Sequence, residues 1–356
     1  MDNKIFSQNV PLYSLAKWTN GLAYKDFHFS TTGIPIIKIA ELKNGITSQT
    51  QFTKDIFDEA VRLQYDDLLF SWSGNPDTSI DVFRYRMNDG WLNQHIFKVI
   101  PQGVSKDYLF YLLKSLQPTF AYIASNKQTT GLGHVTIADL KRLNVNVHSL
   151  EEQQHIVDIL GTLDEKIENN NKIIVELESI LSSKYHELVA RNTTEIPLSN
   201  CIELYTGKLD ANAAEENGKY PFFTCGITPE KINTYAFDCE AIIIAGNGNF
   251  NVKYYNGKFN AYQRTYVIKA NKYFAIILQH YKGKIKEWSS SARGSVIKFL
   301  TKSMLIDDTI KISNNYAKNE EYESFSKTIQ EKIKNLLETN AKLNQLKQLY
   351  LKKFFG

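Results

Sequence analysis

The chain has only three cysteines, Cys201, Cys225 and Cys239, and no CxxC pair. An odd count without paired spacing excludes a disulfide framework and argues against a zinc site. No apolar run reaches the ~20 residues that a membrane span needs. Residues 1–10 lack the basic-then-apolar pattern of a secretory leader, so a cytoplasmic location is expected. Catalytic signatures are missing as well. There is no GxxxxGK[ST] loop and no GxGxxG fingerprint, Gly131-Leu132-Gly133 being too short for one. There is no HExxH, and the seven histidines are scattered singly. The Asn/Asp-Pro-Pro-aromatic tetrapeptide of adenine methyl transfer has only Asn75-Pro76-Asp77 as its nearest match. Asp26 with Glu41-Leu42-Lys43 loosely fits a metal-binding D…ExK set, but the second half of the chain has no counterpart. The expectation is a chain with no catalytic residues, no metal and no cofactor.

What is present is an ordinary globular composition, 43% apolar and 22% charged, long enough at 356 residues for more than one domain. Aromatics are abundant, with 20 Tyr and 20 Phe, and they suit β-rich cores as well as half-wet recognition surfaces. The net charge of +4 is unevenly spread: residues 1–150 are weakly basic, 151–191 acidic, and 192–312 and 313–356 basic. Lys282, Lys284, Lys286, Arg293, Lys298 and Lys302 face a single acid, Glu287, in the sequence. Such a stripe has the composition of a phosphate-facing surface, which a solvated basic face shares.

The chain repeats itself. Val10-Pro11-Leu12, followed by Gly21, recurs as Ile196-Pro197-Leu198, followed by Gly207. Ile34-Pro35-Ile36-Ile37-Lys38-Ile39 finds its counterpart in Tyr220-Pro221-Phe222-Phe223-Thr224. The strand-like run from Asp67 into Gly74-Asn75 parallels that from Glu240 into Gly246-Asn247, each ending in a turn dipeptide. Gly90-Trp91-Leu92-Asn93 echoes Gly257-Lys258-Phe259-Asn260. Lys166-Ile167-Glu168-Asn169 aligns with Lys332-Ile333-Lys334-Asn335. The expected division is a head at 1–150, a helix at 151–191, a second head at 192–314 and a second helix at 315–356.

Between Glu151 and Val189 there is no proline, and Ile156, Leu160, Leu163, Ile167, Asn170, Ile174, Leu177, Leu181, Lys184 and Leu188 form a heptad seam. Ser149 and Glu152 fit a capping box at its start. The second helix carries the same seam at Tyr322, Ser326, Ile329, Ile333, Leu336, Asn340, Leu343, Lys347, Tyr350 and Phe354. Each helix would be roughly 55 Å long. Antiparallel packing with level midpoints sets Asn170 opposite Asn340, Ile174 opposite Leu336 and Lys184 opposite Ser326. A buried Asn pair at one seam position fixes register at a cost in stability. Heads at opposite ends of such a rod, about 40–50 Å apart, could each enter a groove on one face of a duplex whose turn is about 34 Å.

The fold class expected is therefore α/β (α+β) with a coiled coil: two recognition domains joined by two long antiparallel helices. In the first head an amphipathic helix is expected at Tyr108–Ala124, and in the second at Tyr273–Tyr281. A polar, glycine-containing segment follows each, Ser125–Gly131 and Ser289–Ser295. These hold the groups that pair with bases and phosphates. From them the candidate DNA contacts are Lys127, Gln128, Thr129 and Thr130 in the first head. In the second they are Ser290, Ser291, Arg293, Ser295 and Lys298. The turns after the Gly-Asn strands add Ser73, Asn75, Arg84 and Arg86, and Asn247, Asn249 and Lys253. Lys219, Gln263 and Arg264 complete the set.

The stretch Ser149-Leu150-Glu151-Glu152-Gln153-Gln154-His155-Ile156, running to Leu163-Asp164-Glu165-Lys166-Ile167, resembles the start of the central conserved helix in specificity subunits of type I restriction–modification systems. Asp67-Leu68-Leu69-Phe70-Ser71 and Leu92-Asn93-Gln94-His95 are similar to phrases of that family's first target-recognition domain. The second helix departs from the pattern, with Glu320-Glu321-Tyr322-Glu323 in place of Glu-Glu-Gln. The resemblance implies a non-catalytic subunit in which each head reads half of a bipartite double-stranded DNA target and the helices form the spacer. It also implies two modification (methyltransferase) subunits and restriction (translocase/nuclease) subunits as partners, and no membrane. Asp158, Glu165, Glu168, Asn169, Glu176 and Glu178 are the candidates for subunit contact. The alternative reading is a coiled-coil adaptor that never touches DNA, and a third is an enzyme with a cryptic site.

Overall fold

The apolar runs Leu68–Ser71 and Ala241–Ala245 are too continuous for sheets with one wet face. The computed structural model, which describes residues 6–127, 131–290 and 299–356, shows that each is covered on both sides. Side chains alternate along a strand, so one strand can feed two cores. Leu68 and Phe70 enter one core with the helices, while Leu69 enters a second with Ile36, Ile37 and Trp91. In the second head Ile242 and Ile244 take the first role, and Ala241 and Ile243 the second.

The chain divides into two compact units, residues 1–168 with 341–356 and residues 169–340. In the first unit an antiparallel sheet has the order Ala16–Asn20, Ile96–Pro101, Leu68–Ser71, Asp81–Arg84. A second sheet orders Phe52–Thr53, Ile34–Ile37, Gly90–Leu92 and Arg62–Leu63, with Ile36 and Ile37 parallel to Trp91 and Leu92. In the second unit one six-stranded sheet contains the counterparts of both, Phe222 and Phe223 running parallel to Asn260 and Ala261. Phe6–Pro11 pairs with Asn144–His148 in the first unit, and Thr193–Pro197 with Thr309–Ser313 in the second.

Backbone hydrogen bonds correct the repeat alignment. Gly21 N–H donates to Ile96 and Gly207 N–H to Thr265. Asn93 N–H donates to Ile37 and Tyr262 N–H to Phe223. Leu92 thus corresponds to Ala261, so the match of Gly90–Asn93 to Gly257–Asn260 is slipped by two residues. The Gly-Asn match slips likewise: Trp72 O accepts from Val135 N and Gly246 O from Leu300 N, making Trp72 the counterpart of Gly246. Gly21 and Gly207 are true equivalents with one cause. A Cβ on either would lie within 2.2 Å of a carbonyl oxygen of the neighbouring segment.

The helix expected at Tyr108–Ala124 is two helices, Lys106–Ser115 and Gln117–Ser125. Pro118 has no N–H to donate and its ring collides with the carbonyl four residues back, so one helix must end and another begin. The helix expected to stop at Tyr281 runs from Phe274 to Ser290, straight through Gly283. The Glu323 carboxylate accepts from the N–H groups of Ala275 and Ile276 at that helix's start. Burial holds this carboxyl above the usual range against those bonds.

The first long helix spans Leu150–Leu188 and the second Tyr316–Phe355. Ser149 Oγ accepts from Glu152 N at 3.3 Å, and Gln153 Nε2 donates to His148 O at 3.0 Å. The second helix begins with the same anchor in another residue, Asn319 Nδ2 donating to Ser313 O at 2.8 Å. The position of Gln153 is thus held by Asn319, ahead of the Glu320–Glu323 phrase that the sequence pattern set against it.

Within the first unit, Ile156 and Leu160 share a core with Leu351 and Phe354, and Asp164 accepts from both Tyr111 OH and Lys347 Nζ. Within the second, Asn170 Nδ2 donates to Asn340 Oδ1 at 2.7 Å, Asn340 Nδ2 donates to Asn171 Oδ1 at 2.8 Å, and Tyr322 OH donates to Leu181 O at 3.1 Å. The helices run antiparallel in each. The seam position given to Lys184 is a correction: Lys184 is exposed and pairs with Glu187, and Tyr185 is buried in its place against Tyr322. A straight helix drifts by a fraction of a residue per heptad relative to a 3.5 repeat, and here the drift also leaves the ammonium in water.

Candidate nucleic-acid interface

In the first head, the strand Leu68–Ser71 runs out between two neighbours. Trp72 N donates to His95 O at 3.1 Å, and Trp72 O accepts from Val135 N at 2.8 Å. Ser73 and Gly74 then pair antiparallel with His134 and Gly133. Gly133 comes two residues after Gly131, so the fold brings Ser73 and Gly74 beside the chain that leaves the polar stretch of the sequence. Asn75 Oδ1 accepts from the N–H groups of Asp77 and Thr78, which shapes the turn. Lys127 Nζ lies 2.5 Å from both oxygens of Asp139, tying the start of the polar segment to the next helix. Burial raises the Asp139 carboxyl, but Lys127 and Thr136 outweigh it and hold it below the usual range.

Arg84 and Arg86 are not part of this cluster. Arg84 pairs with Leu68 at the opposite end of the strand from Ser71. Its guanidinium is 2.6 Å from Asp107 and lies over the Phe110 ring, and Arg86 is 3.0 Å from Asp66.

The second head repeats the construction. Gly246 N donates to Arg264 O, Gly246 O accepts from Leu300 N, and Asn247 bridges to Phe299. Cys225 Sγ donates to Asn247 Oδ1 at 2.7 Å. Gln263 and Arg264 are exposed beside it, with Gln263 Nε2 donating to Asp210 Oδ1 at 2.7 Å. Lys253 Nζ donates to Gly226 O at 2.7 Å and to Asn251 Oδ1, and burial pushes its pKa down to about 8. Asn249 is exposed in the same turn. Lys219 precedes the strand Tyr220–Phe223, whose other end leads to Cys225, so it stands apart from the cluster. Ser290, the last residue of its helix, is exposed and donates to Glu287 O. Gln128, Thr129, Thr130, Ser291, Arg293, Ser295 and Lys298 lie outside the described residues.

Other expectations change once side chains are placed. In the basic stripe Lys282 pairs with Glu178 at 3.0 Å and Lys284 with Glu287 and Asp308, so much of its charge is already met. Glu41 of the D…ExK set is buried and accepts from Lys38 N and Thr50 Oγ1, a structural role. Among the described residues no group of three His, Cys, Asp or Glu is placed to hold a metal, and no helix is long and apolar enough to cross a membrane. Asp158, Glu165, Glu168, Asn169, Glu176 and Glu178 are all exposed on the first long helix.

Sequence reasoning missed several residues at the same places. In the first head Trp72 donates from Nε1 to Asn20 Oδ1 and stacks on Phe97, with Gln94 and His95 alongside. In the second they are Cys225, Asn251, Tyr266 and Phe299. The signal was available in Gln94-His95 and Gln263-Arg264, which correspond only once the two-residue slip is removed.

Comparison with known proteins places these heads in context. Residues 8–179 match the family model of the type I restriction modification DNA specificity domain. A 167-residue stretch is 41% identical to the Type I restriction enzyme EcoDI specificity subunit of Escherichia coli, covering 45% of this chain and 35% of that protein. A 184-residue stretch is 33% identical to the Type I restriction enzyme HindI specificity subunit of Haemophilus influenzae, covering 46% of this chain and 40% of that one. The chain thus aligns with well under half the length of these relatives. The whole fold is similar to the S subunit of a type I restriction–modification system from M. genitalium. That match has a TM-score of 0.58 at 17% identity and covers 100% of this chain and 97% of that one.

Proposed function

We propose that this chain, whose residues 8–179 match the type I restriction modification DNA specificity domain, is the DNA-recognition subunit of such a system. Each head reads one half of a bipartite double-stranded target, and the paired long helices set the unread gap and receive two modification subunits, to which restriction subunits add. The subunit itself does no chemistry; methylation and cleavage belong to its partners.

The observation that carries this reading is the twofold construction of one recognition end. In each head a strand passes between two backbone clamps and then pairs with the residues that follow a polar stretch of the sequence. Among the described residues Asn75, Gln94, Asn247 and Gln263 supply amides there, Ser73 a hydroxyl and Arg264 a guanidinium, the groups that read base edges. The adaptor alternative is not favoured, because the matching family model is a DNA specificity domain.

Cys225 supplies a direct test. Its thiol is half-exposed and bonded to Asn247 in the proposed DNA face, whereas Cys239 lies near the start of the strand whose end leads into Gly246. Target duplex should slow alkylation of Cys225 and leave Cys239 unchanged. Equal rates for Cys225 with and without duplex would count against this face.

A further inference from the structure

Trp72 and Gly246 occupy one position of the duplicated fold, fixed by the same pair of backbone bonds. In the first head the Trp72 ring lies 5.6 Å from Phe97 and 5.8 Å from His95, filling the space between them. In the second head no side chain stands there, and a Cβ on Gly246 would come within 2.5 Å of Arg264 O. The space stays open as a cleft of about 290 Å³, lined among the described residues by Gly246, Gln263, Arg264, Tyr266, Phe299 and Leu300.

Phe299 is the unexpected member. It holds the position of His134, yet 62% of it is exposed. Its backbone is fixed, because it bridges to Asn247 and the next residue, Leu300, bonds to Gly246 O at 2.7 Å and to Tyr266 OH at 2.8 Å. An exposed aromatic edge held beside an amide and a guanidinium combines two modes of base readout. Polar groups read donors and acceptors, while only an apolar surface recognises the thymine methyl group.

We propose that Phe299 is a specificity residue of the second head that packs against a thymine methyl in the major groove, with Gln263 and Arg264 reading polar base edges beside it. In the first head Trp72 closes this space and His134 stands in the position of Phe299. This inference rests on the DNA-reading function proposed above.

The test uses the full chain with its modification subunit and the half-site read by the second head. Each thymine is replaced in turn by uracil, which removes only the methyl. At one thymine wild type should bind about fourfold more weakly, the worth of one buried carbon. Phe299→Ala should lose a similar factor on the unmodified site and be indifferent to uracil there, while Phe299→Leu should keep the preference. A half-site without thymine, a wild type indifferent to every uracil, or a Phe299→Ala variant as sensitive as wild type would each overturn the proposal. No preference of wild type for the target over scrambled duplex would instead remove the DNA reading itself, and this inference with it.

Discussion

Lys253 shows how one side chain in the proposed interface is tuned. Burial lowers its pKa from 10.5 to about 8. Below pH 8 it is charged in both the folded and unfolded chain, and the full cost of burying the charge is present. Between that value and its unfolded pKa the unfolded chain binds the extra proton, so stability rises with pH across this window. From about pH 7.5 to about pH 9.5 wild type should gain about 1 kcal/mol relative to Lys253→Met, after allowing for partial solvent screening. Urea midpoints differing by the same amount at both pH values would contradict this. Asp164 is a second node, since it accepts from Tyr111 and from Lys347, whose side chain is 15% exposed. Burial pushes the Tyr111 phenol up, and the Asp164 carboxylate adds to it. Asp164→Ala leaves a half-buried cation unpaired and should cost about 2 kcal/mol in denaturant unfolding. Adding Lys347→Met should recover most of that loss.

Among the elements, the long helices were the most legible. The capping serine, the positions of Asn170 and Asn340 and the seam up to Leu181 follow from spacing alone, because a helix seam repeats a local rule many times over; at Lys184 the drift of the helix puts Tyr185 in the seam instead. The heads were less legible. Their strands are short, the repeat carries insertions that slip the alignment by two residues, and Pro118 splits a helix whose apolar pattern reads as continuous. Which polar residue faces outward was least legible: Arg84 in a sequence looks free, and only the fold sets it against Asp107. The helix pair also gives element-scale predictions. Asn170→Leu alone removes a donor from Asn340 and should destabilise by about 1–3 kcal/mol. The double variant with Asn340→Leu should regain stability while admitting shifted registers, which crosslinking across the pair would detect. One heptad added to each helix at that level adds about 10 Å, and the unread gap should grow by about three base pairs. An unchanged gap would separate the helices from spacer function.

For the whole molecule, duplication is what the proposed reading of a bipartite target requires of a single chain. Two heads of one design carry different side chains at equivalent points, Trp72 against Gly246 and His134 against Phe299, so on the proposed reading each half-site would meet its own chemistry on a common frame. Two similar helix starts, anchored by Gln153 and Asn319, are what the two modification subunits proposed above would require. The most direct measurement is to co-express the chain with an adenine-methylating modification subunit of its system and map methylated adenines across a genome. On the proposed reading methylation appears at a single bipartite motif with an unread gap, and replacement of residues 1–150 by another head changes one half of the motif and leaves the other half and the gap intact. A well-assembled complex that methylates nothing, or a head exchange that alters both halves together, would contradict it.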